Sequence, residues 1–142
     1  MIGRSSGGFT TCLVVRVEAD GTAIAANAGH LAPYLNGLEV SVANGLPLGL
    51  SASASYEETV FRIAAGDRLT LITDGVLEAR RETGELFGFE RAAEIAQQSA
   101  AEIAATAQHF GQEDDITVLG VARLSTQPAT ARELPDLFSA PA

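Results

Sequence analysis

The stretch Gly66-Asp67-Arg68-Leu69-Thr70-Leu71-Ile72-Thr73-Asp74-Gly75-Val76-Leu77-Glu78 decides how this chain is read. Gly66-Asp67 is a turn signal, and the apolar run Leu69 to Ile72 follows it. A short β-favouring run bounded by turn residues predicts a buried strand. Asp74 then falls at the strand's end, and Gly75 lets the backbone turn sharply or approach a ligand closely. A carboxylate held on a rigid strand end suits a hard divalent cation, which takes fixed oxygen donors. Asp before Gly is also a common turn pair, because Asp tolerates unusual backbone angles and bonds its own neighbours. A second acidic segment weighs against a turn alone. Glu113-Asp114-Asp115-Ile116-Thr117 leads into another β-like run, Val118 to Val121. Two acidic strand ends can meet at one edge of a layered fold.

Working outward, the 142 residues suffice for one domain with a real core. Apolar residues make up 46% and charged residues 19%, a globular rather than a disordered composition. The net charge is −9 and every basic residue is Arg. That balance argues against nucleic acid, which demands a basic footprint, and against anionic membrane surfaces. An acidic protein still handles phosphate where bound cations invert the local field. No apolar run reaches transmembrane length and nothing resembles a signal peptide, so the expected setting is cytoplasmic. Cys12, the single cysteine, lies in an apolar run and reads as a small core residue.

N-terminal to the central stretch, residues 1–8 read as a flexible N-terminus. Their Gly3-Arg4-Ser5-Ser6-Gly7 matches a nucleophile-elbow pattern but lacks the preceding strand that motif needs. Phe9 to Glu18 and Thr22 to Ala28 predict paired strands around the turn Ala19-Asp20-Gly21, where Asp-Gly supplies positive φ angles. Asn27 to His30 closes this unit. His30 has two readings: a group near a phosphate site that orients a water or acts as an acid, or a half-buried ring bonding a loop carbonyl. Pro33 to Val42 predicts two short strands around Asn36-Gly37, and Asn44 to Gly49 a loop stiffened by Pro47. Ser51 to Ser55 is expected to be exposed. Tyr56 to Ile63 alternates, with Thr59, Phe61 and Ile63 on one side.

Beyond the central stretch, a short helix is expected over Val76 to Arg81. Its adjacent Arg80 and Arg81 either hold a substrate phosphate or are solvated charge. Glu82 to Gly88 reads as a loop, and Phe89 to Gln98 as a helix rich in strong helix formers. Ser99-Ala100-Ala101-Glu102 is a capping-box sequence that opens a second helix, running to about Phe110. Its Ile103, Ala107 and Phe110 share one face, and Gly111 is placed as its C-terminal cap. His109 reads as surface, and Glu57, Glu58 and Glu78 as solvated. Residues 125–142, with three of the five prolines, read as a mobile tail carrying Leu134, Leu137 and Phe138.

Thr73-Asp74-Gly75-Val76 followed by Asp114-Asp115-Ile116-Thr117 resembles the C-terminal part of the metal-dependent PPM (PP2C-like) serine/threonine protein phosphatases, nearest their stage II sporulation E branch. Asn27-Ala28-Gly29-His30, Gly45-Leu46-Pro47-Leu48-Gly49, Gly66-Asp67-Arg68-Leu69 and Gly84-Glu85-Leu86-Phe87-Gly88 agree in order. The resemblance covers residues 9–124. It implies an α+β fold: a PP2C-like sandwich of two mostly antiparallel sheets with flanking helices, the helices of residues 89–110 lying on one outer face.

The resemblance also implies two Mn²⁺ or Mg²⁺ ions. On that resemblance such ions would activate a water for in-line attack on phosphorus, without a covalent enzyme intermediate. By motif Asp74 and Asp114 are the catalytic metal-binding aspartates, and Asp115 is a neighbouring ligand. Thr73, Gly75, Asn27, Gly29 and His30 shape the site. The implied substrate is a phosphorylated protein such as an anti-anti-sigma domain. Nothing before Phe9 matches the family's Asp-x-x-Gly-His-Gly-like motif, so the N-terminal part of the domain is expected to be missing. Without that motif's metal ligand the phosphatase activity of this chain is expected to be impaired, weak or absent, and the alternative function is a catalytically inactive remnant that serves as an interaction or dimerisation module. An uncovered sheet edge and face would favour a homo-oligomer.

Overall fold

The computed structural model describes residues 7–125. The expected flexible N-terminus (through residue 6) and tail (from residue 126) lie outside the described residues, as do most of Gly3–Gly7 and the apolar tail positions.

Strands β1 (Cys12–Val17) and β2 (Thr22–Ala28) form an antiparallel hairpin in the register Cys12↔Ala28 to Val17↔Ala23. Its connection is Ala19-Asp20-Gly21, as the sequence predicts, but only Gly21 has a positive φ, 90°. Glu18 N–H donates to the Thr22 carbonyl (2.8 Å) and Gly21 N–H to that of Glu18 (3.0 Å), so one left-handed residue closes the turn. Regular pairing starts at Cys12 rather than Phe9.

The chain then makes β3 (Tyr34–Leu35) and β4 (Leu38–Glu39) around Asn36-Gly37, whose φ values of 50° and 80° are those of a tight hairpin turn. The expected loop at Asn44 instead begins with β5 (Asn44–Gly45), which pairs in parallel with the end of β2. Two residues carry no hydrophobic period, so this pairing is invisible in sequence. β6 (Glu58–Arg62) pairs antiparallel with β2, and its alternation places Thr59 and Phe61 inward while Val60 stays 65% exposed. β7 (Arg68–Ile72) lies between β3 and the last strand, β8 (Val118–Ala122), both antiparallel to it.

Two mostly antiparallel sheets result: β1-β2-β5 with β6 also on β2, and β4-β3-β7-β8. Helices α1 (Asp74–Leu77), α2 (Gly88–Ile95) and α3 (Ala100–Gly111) complete the α+β fold. β7 is central because it is apolar on both faces. Leu69 packs with Ala23 and Ile63 between the sheets. Ile72 packs on the opposite side with Val76, Phe87, Ala92, Ile103 and Ala107. Thr70 also faces the helices, and its buried hydroxyl donates to the Ala96 carbonyl (3.0 Å), which removes the cost of burying it.

α2 and α3 cover this outer face as expected, though α2 stops at Ile95 rather than Gln98. The Ser99 capping box forms: Ser99 Oγ accepts from Glu102 N–H (3.3 Å), and Glu102 Oε2 accepts from Ser99 N–H (2.9 Å). Phe87 and Phe110 meet edge to face at 5.2 Å. Gly111 is the last helical residue rather than the cap. A Cβ there would collide with the Arg80 carbonyl oxygen, so close approach is what demands glycine. Cys12 is half-buried on the outer face of the first sheet, with Val14, Ala26 and Tyr56, rather than in the core.

Candidate metal centre

The register of β7 and β8 decides where the acidic segments go. Ile72 pairs with Val118, so the chain leaves β7 beside the point where it enters β8. Three hydrogen bonds latch the residues just beyond that pair. Thr73 N–H donates to the Thr117 carbonyl (3.1 Å) and Thr117 N–H donates to Thr73 Oγ1 (3.0 Å). Thr73 Oγ1 donates to the Thr117 carbonyl (3.3 Å). Thr73 is the N-cap of α1, yet its hydroxyl makes no capping bond and is engaged across the strands instead.

α1 starts at once, at Asp74 rather than Val76, and ends at Leu77 rather than Arg81. Gly75 is buried against the other segment: a Cβ there would strike the Asp115 carbonyl oxygen. The backbones that carry Asp74 and Asp114–Asp115 are therefore in contact. Asp114 Oδ1 accepts from Asp115 N–H (2.7 Å) and its carbonyl accepts from Gln112 Nε2 (3.0 Å), which orients the loop. Arg80 lies beside the same loop, tied by its N–H to the Gly111 carbonyl (2.6 Å) and by its guanidinium to Glu113 (3.4 Å). Arg81 pairs with Glu85 and stacks on Phe110. Both arginines thus have acidic partners.

Asp74, Asp114 and Asp115 are all exposed. Among the described residues, no three His, Cys, Asp or Glu side chains stand together as a metal-binding group. A carboxylate from each segment suits a hydrated Mg²⁺ or Mn²⁺, which is held by one or two carboxylates and keeps several waters. It does not build an all-protein cage.

Asn27 is buried and clamps the following turn. Its Oδ1 accepts from His30 N–H (2.8 Å) and its Nδ2 donates to the His30 carbonyl (2.9 Å). Gly29 N–H donates to Asn44 Oδ1 (3.1 Å), joining that turn to β5. The half-buried His30 ring puts Nδ1 3.1 Å from the Leu31 carbonyl, the loop-bonding arrangement. His30 also lines a cavity of about 100 Å³ between the sheets, with Leu13, Leu71, Thr73 and Thr117. The structure therefore brings Asn27, Gly29 and His30 to the end of the sandwich where Thr73 and Thr117 are latched.

Sequence reasoning missed the latch role of Thr117 and the apolar wall beside Asp74, formed by Leu31, Leu77, Leu86 and Phe89. For Leu77 a signal existed: Asp74, Leu77 and Glu78 stand at i, i+3 and i+4, one helix face. For the others none did, because Leu31 and Leu86 come from separate loops and Phe89 from the start of α2.

The family model of stage II sporulation protein E (SpoIIE) matches residues 2–124. No match was found among curated proteins. Among solved structures, the phosphatase domain of the cell fate determinant SpoIIE from Bacillus subtilis (Mn presoaked) is 21% identical, with a TM-score of 0.59 over 84% of this chain and 58% of that one. The RsbU and RsbW domains of a Mycobacterium tuberculosis protein are 22% identical, with a TM-score of 0.62 over 88% of this chain and 39% of that one. The SiaA-PP2C domain of Pseudomonas aeruginosa is 25% identical, with a TM-score of 0.59 over 72% of this chain and 47% of that one. The chain thus spans less than two thirds of the length of these relatives, and it shares the fold of their PP2C phosphatase domains. With 123 of its 142 residues matched by the family model, the chain belongs to the stage II sporulation protein E (SpoIIE) family.

Proposed function

We propose that the chain is a metal-dependent serine/threonine phosphoprotein phosphatase of the sporulation and stress-regulator type. The observation that carries this reading is the Thr73–Thr117 latch, which holds two acidic segments at adjacent strand ends. Membership of the SpoIIE family and a Mn-presoaked relative of the same fold support it.

Asp74 and Asp114, with Asp115 beside them, are assigned to Mn²⁺ or Mg²⁺. A divalent ion bound there would supply Lewis acidity towards a phosphoryl oxygen and would lower the pKa of a bound water. The chain's own contribution is placement. Thr73 and Gly75 set the backbone from which Asp74 projects, and Asn27, Gly29 and His30 brace the opposite sheet at the same end. Without a cation the exposed carboxylates repel a phosphate dianion, so phosphate binding and divalent binding are linked. Arg80 and Arg81 have acidic partners and are not assigned to phosphate. Cytoplasmic phosphoproteins, anti-anti-sigma domains among them, are the substrates this reading names.

The test is hydrolysis of p-nitrophenyl phosphate with and without Mn²⁺, repeated for Asp74→Ala and Asp114→Ala. Turnover is expected to require Mn²⁺ and to be lost in either variant. Hydrolysis that survives both substitutions sinks the assignment.

A second reading, an inactive remnant acting as an interaction module, is favoured by a different observation. Val14 and Val60 are 59% and 65% exposed on the outer face of the first sheet. A homo-oligomer through this face belongs to that reading. It predicts no heat on Mn²⁺ titration and a sedimentation coefficient that rises with protein concentration. Mn²⁺ binding with a concentration-independent monomer excludes it.

A further inference from the structure

Helices α2 and α3 cover the outer face of the second sheet, but among the described residues no helix covers that of the first. Strand register shows what is left in water. Cys12 stands opposite Ala28, Val14 opposite Ala26, and Ile24 between Arg16 and Val60. Alternate residues of a strand share a face, so the apolar members of these rows form one patch. Cys12, Val14, Ala26, Ala28, Leu48 and Tyr56 line a hollow of about 180 Å³ in it, with no charged wall residue. Charge stands on the two outer strands: Arg16 on β1, and Glu58 and Arg62 on β6. Arg16 pairs with Glu18, whereas Arg62 makes no ion pair with another described residue. An apolar patch of this kind, rimmed by charge, marks a contact site.

We propose that the chain's own C-terminal segment, Leu134-Pro135-Asp136-Leu137-Phe138, docks on this face. The inference is independent of whether the chain hydrolyses phosphate. Exit point, length and charge select the occupant. The Arg123 guanidinium donates to the carbonyls of Ile63 (2.8 Å) and Ala19 (3.4 Å). The chain therefore leaves β8 beside the end of β6 and the β1–β2 turn, the end of the face that carries Arg16 and Arg62. Residues 126–133 extend up to roughly 26 Å, at about 3.3 Å each. Stacked sheets lie about 10 Å apart, so this length carries Leu134 round the turn and onto the face. Leu134, Leu137 and Phe138 are the large apolar residues of 126–142, and Glu133 and Asp136 stand on either side of Leu134-Pro135. Those two carboxylates complement the Arg16 and Arg62 end of the face. Tethering favours this segment over a second copy. A short linker holds it at an effective concentration on the order of millimolar, whereas two chains of net charge −9 repel each other.

Cys12 provides the test, because it is the single cysteine and lies on the face in question. Its rate of reaction with a chromogenic disulfide reagent is measured in the folded, full-length chain. Leu137→Ser and Phe138→Ser, introduced together, are expected to raise that rate at least about five-fold, the scale of partly burying one large apolar side chain. Val60→Gln, at an exposed position of the face, is expected to raise it in the same direction. Both variants should keep the parent's far-ultraviolet circular dichroism spectrum. Equal rates in the parent and the Leu137/Phe138 variant overturn the proposal. A rise in that variant without one in Val60→Gln places the segment elsewhere and overturns it as well. A parent rate that falls as protein concentration rises assigns the face to a second copy, which also overturns it.

Discussion

Gly75 and Asn27 act through what surrounds them rather than through chemistry of their own. The Asp115 carbonyl occupies the space of a Gly75 side chain, so Gly75→Ala must push the two acidic segments apart. Weaker Mn²⁺ binding by calorimetry is expected, with an unchanged far-ultraviolet circular dichroism spectrum; full Mn²⁺ affinity would mean that this close approach does not shape the site. Asn27 satisfies both the N–H and the carbonyl of His30 from a buried position. Asn27→Ala strands both groups and is expected to cost about 1–3 kcal/mol in urea denaturation. A loss below a few tenths would mean that water takes over its role. Gly75 was legible in the sequence as a glycine after a strand. Its partner was not, because Asp115 lies forty residues further along the chain.

Among the elements, α3 owes its start to a local device. Ser99→Ala removes the box that satisfies two helix-end groups and is expected to lower the melting temperature by roughly 2–8 °C. A melting curve that superimposes on the parent's would contradict this. The Ser99 hydroxyl, and then its backbone N–H, hold the Glu102 carboxyl below its ordinary value of 4.5. The Asn36 side chain and the Ala64 N–H likewise lower Asp67, at the turn that opens β7. Folding therefore favours the charged forms of both groups. Their contributions are complete above the unfolded-state values and are lost as pH falls through the lowered folded ones. The melting temperature is expected to hold from neutrality to about pH 5 and to fall below pH 4. Glu102→Gln should flatten the acid limb, and an unchanged limb would remove Glu102 from the account. The capping box and both hairpin turns were legible because each depends on residues a few positions apart. The parallel β5 pairing was not, since nothing within two residues announces it.

At the scale of the whole molecule, β7 belongs to two cores. Leu69 packs between the sheets and Ile72 packs under the helices. Ile63 and Ile103, each 1% exposed, represent the two sides. Ile63→Ala and Ile103→Ala are each expected to cost about 2–5 kcal/mol. Because one strand joins both cores, either substitution should lower a single transition followed identically by near- and far-ultraviolet signals. Two separated transitions would show that the cores unfold independently.

The sequence by itself determined the local pieces: the strand over Leu69–Ile72, the acidic residue at its end, the hairpin turns and the capped helix. Each of these rests on backbone preference or on a period repeated within a few residues. Only the tertiary structure decided that Thr73 and Thr117 are latched, that Gly75 lies against Asp115, and that Leu31, Leu86 and Phe89 gather beside Asp74. Those contacts depend on strand register and sheet stacking, which join distant residues through packing that no short window of sequence contains.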